Sequence, residues 1–241
     1  MTYLAIDIGN SFAKLAILIN GEIVHKERHH KLLVGNVNTL FKKYKFSKAI
    51  LSSTRVLDQR VITAIKNKYD LQILDHHTRI PIQNLYKTPE TLGRDRLAAV
   101  IGAYVQYPNQ HCAVIDLGTC NTFDLIDKNG TYHGGNISPG VDMKLKAMNH
   151  FTSKLPLPVR QYNDDPMGKD TTSALQNGAF WGTIFEIESF INRMSTRFMP
   201  LNVILTGGDA EIFGSKLNSK IFVAPNLVLT GLHEILKYNE E

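Results

Sequence analysis

The sequence predicts an α/β protein built from two copies of one unit. Three observations carry this. Residues 4–28 read as strand, acidic-glycine turn, strand, Asn-Gly hairpin and strand, and residues 113–137 read the same way. Asp7 and Asn20 are 13 positions apart, as are Asp116 and Asn129, and the two copies are offset by 109 residues. After each three-strand stretch, helix-period and strand-period segments alternate.

In the first copy an apolar run, Leu4 to Ile6, delivers Asp7 to a turn of Gly9, Asn10 and Ser11. A second run, Ala13 to Ile19, ends at Asn20-Gly21, the pair that suits a type I′ hairpin because both central residues need positive φ. Helical patterns follow near 34–44 and 58–68, separated by the strand-like Ala49-Ile50-Leu51 and followed by a strand over 71–74. A further helix is expected from Arg94 to Gln106, with Leu97, Ile101 and Tyr104 on one face. The second copy repeats the strands around Asp116, Gly118-Thr119 and Asn129-Gly130, with Gly134-Gly135 ending its third strand. Pro139-Gly140 opens a helix near 141–150. A long helix is expected from Thr171 to Arg197, with Asp170 or Thr171 as N-cap, then a strand over 203–206 and short elements to the end. The boundary falls near Pro108-Asn109-Gln110, giving units 1–109 and 110–241 with no low-complexity linker.

The long helix is apolar on more than one stripe, through Leu175, Phe180, Ile184, Phe185, Ile187 and Ile191. Gly178 and Gly182, four apart, permit close backbone approach. Such a helix suits a subunit interface or burial inside one large domain, and the pattern alone does not separate them.

The chain has 241 residues, which accommodates one large domain or two small ones. With 43% hydrophobic and 20% charged residues it is not a disordered tail, a collagen or a coiled coil. No run approaches the ~18 apolar residues of a membrane span. The first residues lack a basic segment followed by a long apolar one, so the expected location is the cytoplasm. The net charge is +5, and its densest basic stretch, His25 to Lys45, is loose. That fits a solvated surface or an attraction for small anions, and no nucleic-acid partner is expected. Cys112 and Cys120 form neither a disulfide framework nor a C-x-x-C motif. The doublets His29-His30 and His76-His77 lack acidic or thiol neighbours at ligand spacing and read as surface histidines.

Three groups of residues carry chemistry. The turn Asp7-Ile8-Gly9-Asn10-Ser11, with Lys14 nearby, offers backbone N–H groups, hydroxyls and a point charge to phosphate oxygens. Its Asp is placed to hold magnesium through water. Alone, such a turn is more often a plain hairpin corner; its second copy at Asp116-Leu117-Gly118-Thr119 makes a two-sided phosphate clamp the stronger reading. Thr206-Gly207-Gly208-Asp209 lets backbone approach a flat ligand. Gly93-Arg94-Asp95-Arg96 places an acid in the first turn of a helix between two guanidiniums, an arrangement for taking a hydroxyl proton and holding a carboxylate, or a salt-bridged surface turn. Tyr86 precedes it on a Pro-flanked loop. Neither a Walker motif nor G-x-G-x-x-G occurs.

Taken together, these residues resemble the phosphate-1, phosphate-2 and adenosine motifs of the acetate-and-sugar-kinase/actin superfamily, and within it type III pantothenate kinase. The resemblance rests on Asp7-x-Gly9-Asn10-Ser11-x-x-Lys14, Gly93 to Arg96, Asp116-x-Gly118-Thr119, Tyr132-x-Gly134-Gly135-x-Ile137-x-Pro139-Gly140, Gly168-x-x-Thr171 and Thr206 to Asp209. It implies duplicated actin-like ATPase (ribonuclease H-like) domains with a nucleotide cleft between them, and ATP-dependent phosphorylation of pantothenate. By the same resemblance Asp95 is the catalytic base, and Tyr86, Gly93, Arg94, Arg96 and Thr171 join it in binding substrate. Asp7, Gly9, Asn10, Ser11, Lys14 and Thr119 contact ATP. Asp116 is the ligand of a monovalent cation, K+ or NH4+, used beside Mg2+. Thr171 reaches the site of a neighbouring protomer, which implies a homodimer. Ser11 stands where the family commonly has Thr, and Cys120-Asn121 where a small-then-apolar pair is common. A kinase of another small hydroxy acid and an accessory regulatory protein are the rival readings, and the intact Asp7, Asp95 and Asp116 weigh against the second.

Overall fold

The computed structural model describes residues 1–240. The elements run β1 (Thr2–Ile8), β2 (Ala13–Ile19), β3 (Glu22–His29), α1 (Val34–Lys43), β4 (Lys48–Ser53), α2 (Gln59–Lys66), β5 (Asp70–Ile73), β6 (Gln83–Asn84) and α3 (Arg94–Gln106). They continue with β7 (His111–Leu117), β8 (Cys120–Ile126), β9 (Thr131–Pro139), α4 (Val141–His150), α5 (Thr171–Ser195), β10 (Leu201–Thr206), α6 (Ala210–Gly214), β11 (Ile221–Val223) and α7 (Leu227–Tyr238).

The duplication is visible in the sheets. The first has the order β3-β2-β1-β4-β5, and the second repeats it as β9-β8-β7-β10-β11, with the two-residue β6 added beside β9. In both, the strand that delivers the acid is flanked by a parallel neighbour, β4 beside β1 and β10 beside β7. The register sets Asp7 opposite Ser52 and Asp116 opposite Thr206. A hydroxyl residue therefore lies next to the acid in each copy.

By packing, the chain forms two compact units, one of Met1–Asn109 with Ile126–Gly134 and the residues from Asn226 on, the other of Gln110–Leu125 with Gly135–Pro225. A sequence repeat and a compact unit are different divisions of a chain. In the first unit Leu4, Ile6, Ile8, Leu15 and Ile17 pack with Val37, Leu40, Val61 and Ile65 of α1 and α2. The opposite face of the sheet is covered by α7, against which α3 packs. In the second unit Leu117, Phe123 and Leu205 pack with Leu175, Phe180, Ile184 and Ile187 of α5.

Local rules act at some element ends: α2 and α5 each begin at an Asp whose side chain accepts a backbone N–H. Asp170 caps α5 by accepting the Ser173 N–H at 2.9 Å while Ser173 Oγ accepts the Asp170 N–H at 3.1 Å. Asn20 and Gly21 take φ of 52° and 89°, as a type I′ turn requires.

Four details depart from the sequence reading. The second hairpin is not a two-residue turn: Gly130 N–H donates to Asp127 O at 3.0 Å, and Gly130 alone adopts positive φ, 78°. The Asp127 carboxylate accepts the N–H groups of Asn129 and Thr131 and so selects this longer loop. Gly134-Gly135 does not end a strand but lies inside β9, where a side chain on Gly135 would overlap the Phe123 carbonyl. The strand β6, unforeseen, pairs Gln83 with Thr131 and Asn84 with Tyr132. The short elements expected at the C-terminus include a 12-residue helix, α7. Its Thr230, Glu234 and Lys237 make a narrow polar stripe at helical spacing opposite a wide apolar face, and Gly231, a weak helix former, interrupts that face.

Gly231 has a packing reason. A Cβ there would overlap the Ala98 carbonyl oxygen, and one on Gly102 would overlap that of Leu227, so α3 and α7 meet backbone to backbone. Gly231→Ala should destabilise the protein by about 1–3 kcal/mol, read as a lowered melting temperature. Gly178→Ala, where nothing lies within 4 Å of the added Cβ, should not lower it in the monomeric chain. An unchanged melting temperature for Gly231→Ala would contradict the close approach.

Candidate active site

In the first unit, β1 ends with a buried Asp7, 6% exposed. The turn beyond it is closed by Gly9 N–H donating to Phe12 O at 2.9 Å, and Asn10 and Ser11 stay exposed. Lys14 is the cross-strand neighbour of Asp7 in the β1–β2 ladder. Ser52 Oγ donates to Asp7 Oδ1 at 3.1 Å. Burial pushes the Asp7 pKa up from 3.8 to about 6, and the nearby Asp95 charge adds to the rise, while Lys14 and the Ser52 hydrogen bond oppose it. A carboxylate that is costly to ionise when alone is a carboxylate built for a cation.

Asp95 comes from a different element. Gly93 is the N-cap residue of α3, and Asp95 stands in the first turn. Its Oδ1 accepts the Arg96 backbone N–H at 2.9 Å, which fixes the carboxylate. A Cβ on Gly93 would sit 2.7 Å from that oxygen, so glycine leaves the acid its position. Arg96 is 4% exposed, and its guanidinium carbon lies 5.6 Å from the centroid of the Tyr86 ring. Tyr86 is nearly parallel to Tyr132, with centroids 6.3 Å apart, and Gly134 runs beside the same ring. Tyr86, Arg96 and the α3 N-terminus thus line one wall.

Arg94 is used differently from its neighbour. Its Nη1 donates to the carbonyls of Pro89 and Leu92, both at 2.9 Å, and its Nη2 to Glu90 at 3.1 Å. It ties together the loop that leads into α3.

In the second unit Asp116 is the penultimate residue of β7 and Gly118 and Thr119 follow the strand, with Gly118 N–H donating to Cys120 O at 3.2 Å. The turn after β10 folds onto them: Gly207, at φ 95°, leaves no room for a side chain beside Asp116 and the Leu117 backbone, and Asp209 N–H donates to Leu117 O at 3.1 Å. Gly207 of the Thr206-to-Asp209 motif therefore helps build the surroundings of Asp116, while Gly208 faces open space. Thr171 is exposed at the first position of α5.

Two features were not found by sequence reasoning. Ser52, hydrogen-bonded to Asp7, was legible in principle, because β4 and β10 both end in hydroxyl residues at matching register. Arg160 was not legible: its Nη2 lies 2.7 Å from Asp209 Oδ2 and its Nη1 3.5 Å from Asp142 Oδ2, joining the first turn of α4 to the residue that precedes α6. It stands in an irregular segment with no motif around it.

The repeated sheet order and the acid-bearing turns define a member of the actin-like class of ATPase and sugar-kinase folds. A solved structure described as a conserved putative Baf family transcriptional activator from Campylobacter jejuni has TM-score 0.64 and 24% identity, with 98% of both chains covered. A putative 2-dehydro-3-deoxygalactonokinase from Sinorhizobium meliloti has TM-score 0.59 and 13% identity, over 98% of this chain and 99% of that one. These likenesses show the fold alone. The model of the type III pantothenate kinase family matches residues 3–193. Type III pantothenate kinases of Bacteroides fragilis and Phocaeicola vulgatus are each 43% identical to this chain, over 98% and 99% of its length and the same shares of theirs. The chain belongs to the type III pantothenate kinase family.

Proposed function

We propose the following roles for this chain's residues in the reaction of its family, the ATP-dependent phosphorylation of pantothenate to 4′-phosphopantothenate that begins coenzyme A biosynthesis. The observation that carries the assignment is the pair of acids in the first unit, Asp7 at the end of β1 and Asp95 at the start of α3, close enough for one charge to raise the pKa of the other. Two such carboxylates do different work: one faces a cation, the other a proton.

Asp7 is the cation-facing acid. Its buried, reluctantly ionised carboxylate fits a divalent ion, and Lys14 and Ser52 orient it. Bound there, Mg2+ supplies positive charge against the phosphate oxygens of ATP. Gly9, Asn10 and Ser11 offer N–H and hydroxyl donors to those oxygens, and Thr119 does the same from the second copy of the turn. Asp116, a hard oxygen donor close to Gly118 and Gly207, suits K+ or NH4+.

Asp95 is the catalytic base. Its carboxylate, held by the Arg96 N–H, takes the proton of the pantothenate hydroxyl as that oxygen bonds to the γ-phosphorus and the bond to the ADP oxygen breaks. The transition state is largely dissociative, so placement of the hydroxyl counts for more than basicity. Arg96 and Tyr86 bind the substrate, Arg96 holding its carboxylate and Tyr86 packing on its body. Gly93 gives the substrate access to the α3 N-terminus. Arg94 binds through the loop it braces and is a positioning residue.

Thr171 completes the site of a second copy in a homodimer. Supporting this, Gly178 and Gly182 on α5 meet nothing within 4 Å, and Phe185 is 57% exposed, so one stripe of this helix is unpacked in the single chain. Among the described residues no helix is long and apolar enough to cross a membrane, and we assign the enzyme to the cytoplasm.

The test is ADP release from ATP with and without pantothenate, in K+, NH4+ and Na+, with the solution mass measured at the assay concentration. Turnover that requires pantothenate, runs faster in K+ or NH4+ than in Na+, and comes from a species of two chains is the expected result. Folded protein with no turnover in any cation would overturn the assignment, and a monomeric mass would remove the role of Thr171.

A further inference from the structure

Within the first unit the structure carries a cavity of about 430 Å3 at the C-terminal ends of β1 and β4. That volume is within the range of small-molecule sites. Its floor is apolar, made by Ile8, Leu32, Leu57, Val61 and Ile62. Its rim carries His30, Lys31 and Arg55.

The cavity lies on the other side of the sheet from the acids assigned to catalysis. Side chains alternate along a strand, so Ile6 and Ile8 face α1 and α2 while Asp7 between them faces away, towards Asp95. The floor belongs to the α1–α2 side.

The charges at the rim are not balanced. Asp58 is the acid lining the cavity, and it is engaged by Arg60, with Nη2 2.8 Å from Oδ2 and both the backbone N–H and Nε donating to Oδ1. Lys31 lies close enough to Asp58 for its charge to act on that acid, and the Arg55 guanidinium donates to the Asn10 carbonyl at 3.4 Å, with no carboxylate in ion-pair contact with either cation among the described residues. An apolar floor under Lys31 and Arg55, set against one acid that Arg60 already engages, has a surplus of positive charge and complements a small amphiphilic anion, not a neutral ligand or a cation.

We propose that this cavity is a second binding site, for a small anion with a short apolar chain, a phosphate monoester or a carboxylate. The chain occupies the floor beside Ile8 and Val61, and the anion sits between Lys31 and Arg55. Through Arg55 the bound anion touches the back of the Gly9-Asn10-Ser11 turn. The site does not depend on the catalytic roles given above, because its occupancy is measured as binding and not as turnover.

The experiment is isothermal titration of the full chain with octyl phosphate and with octanoate, against inorganic phosphate and octanol, each repeated with saturating ADP. Saturable binding of one octyl phosphate or octanoate per chain is expected, with inorganic phosphate and octanol at least about tenfold weaker and with ADP leaving the affinity within about twofold. The tighter of the two amphiphiles tells a phosphate ester from a carboxylate as the natural head group. The paired change Lys31→Gln with Arg55→Gln should weaken binding about tenfold or more. Leu57→Asn should weaken the amphiphiles and leave inorganic phosphate unchanged. The two sets of variants keep charge and floor separate, and thermal melting confirms that each is folded. Loss of binding in ADP would put the anion in the nucleotide site and overturn the proposal, as would equal binding by the charge-deleted variant or no saturable binding of either amphiphile.

Discussion

Replacing Asp95 with Asn should lower kcat by roughly two to four orders of magnitude, the usual worth of a positioned general base. The amide keeps the side-chain oxygen that accepts the Arg96 N–H, and with it the start of α3. Melting temperature and the KM for ATP should therefore stay near those of the parent. A second consequence follows from charge: with Asp95 neutralised, a cause of the raised Asp7 pKa is gone, so Asp7 should titrate lower in the variant. Steady-state kinetics with both substrates varied, and carboxyl titration by NMR in the two proteins, check these expectations. Near-normal turnover in Asp95→Asn would remove Asp95 from the role of base.

The second large effect is on stability. Asp7→Asn should make the ligand-free protein more stable at neutral pH while abolishing most activity. The sign follows from linkage. The pKa of Asp7 is raised from 3.8 to about 6 by burial first and by Asp95 second, so the folded state holds the proton more tightly than the unfolded state. The stability that comes with that proton is fully present below pH 3.8 and is lost as pH rises through about 6. A rise of about two pKa units corresponds to about 3 kcal/mol, and the group is buried, so solvent screening removes little of it. Asn carries no such penalty. The difference in unfolding free energy between variant and parent should widen between about pH 4 and pH 6 and stay level above. Denaturant unfolding at a series of pH values, without nucleotide or metal, measures it. A difference that does not change with pH would mean that Asp7 ionises at no cost. A fold that keeps a destabilising carboxylate keeps it for a ligand.

Much of this was legible in the sequence, because the signals involved are local. The duplication showed in the equal spacing of Asp7 to Asn20 and Asp116 to Asn129, and it reappears as two sheets of one strand order. The helix bearing Asp95 begins at Arg94 as the Gly93 turn predicted, and Asp170 caps α5. Strand period, helix caps and turn residues act over a few residues, and a chain states them wherever it is folded.

What the sequence did not disclose depended on distant partners. Glycines 134 and 135 look like a strand end, yet β9 runs through them, with the Phe123 backbone against Gly135 and the Tyr86 ring beside Gly134. Arg94 and Arg96 look equivalent, but one is spent on the carbonyls of its own loop while the other is buried beside Tyr86. The C-terminal helix α7 has a wide apolar face because α3 and the sheet pack against it, and its Gly231 makes sense only opposite Ala98. The sequence by itself determined the elements, the two acid-bearing turns and the residue types at the site, since those follow from backbone preference and periodicity. Only the tertiary structure decided that Asp7 is buried beside Ser52 and within reach of the Asp95 charge. Desolvation and the field of a neighbouring charge depend on distance in space, and separation along the chain does not contain it.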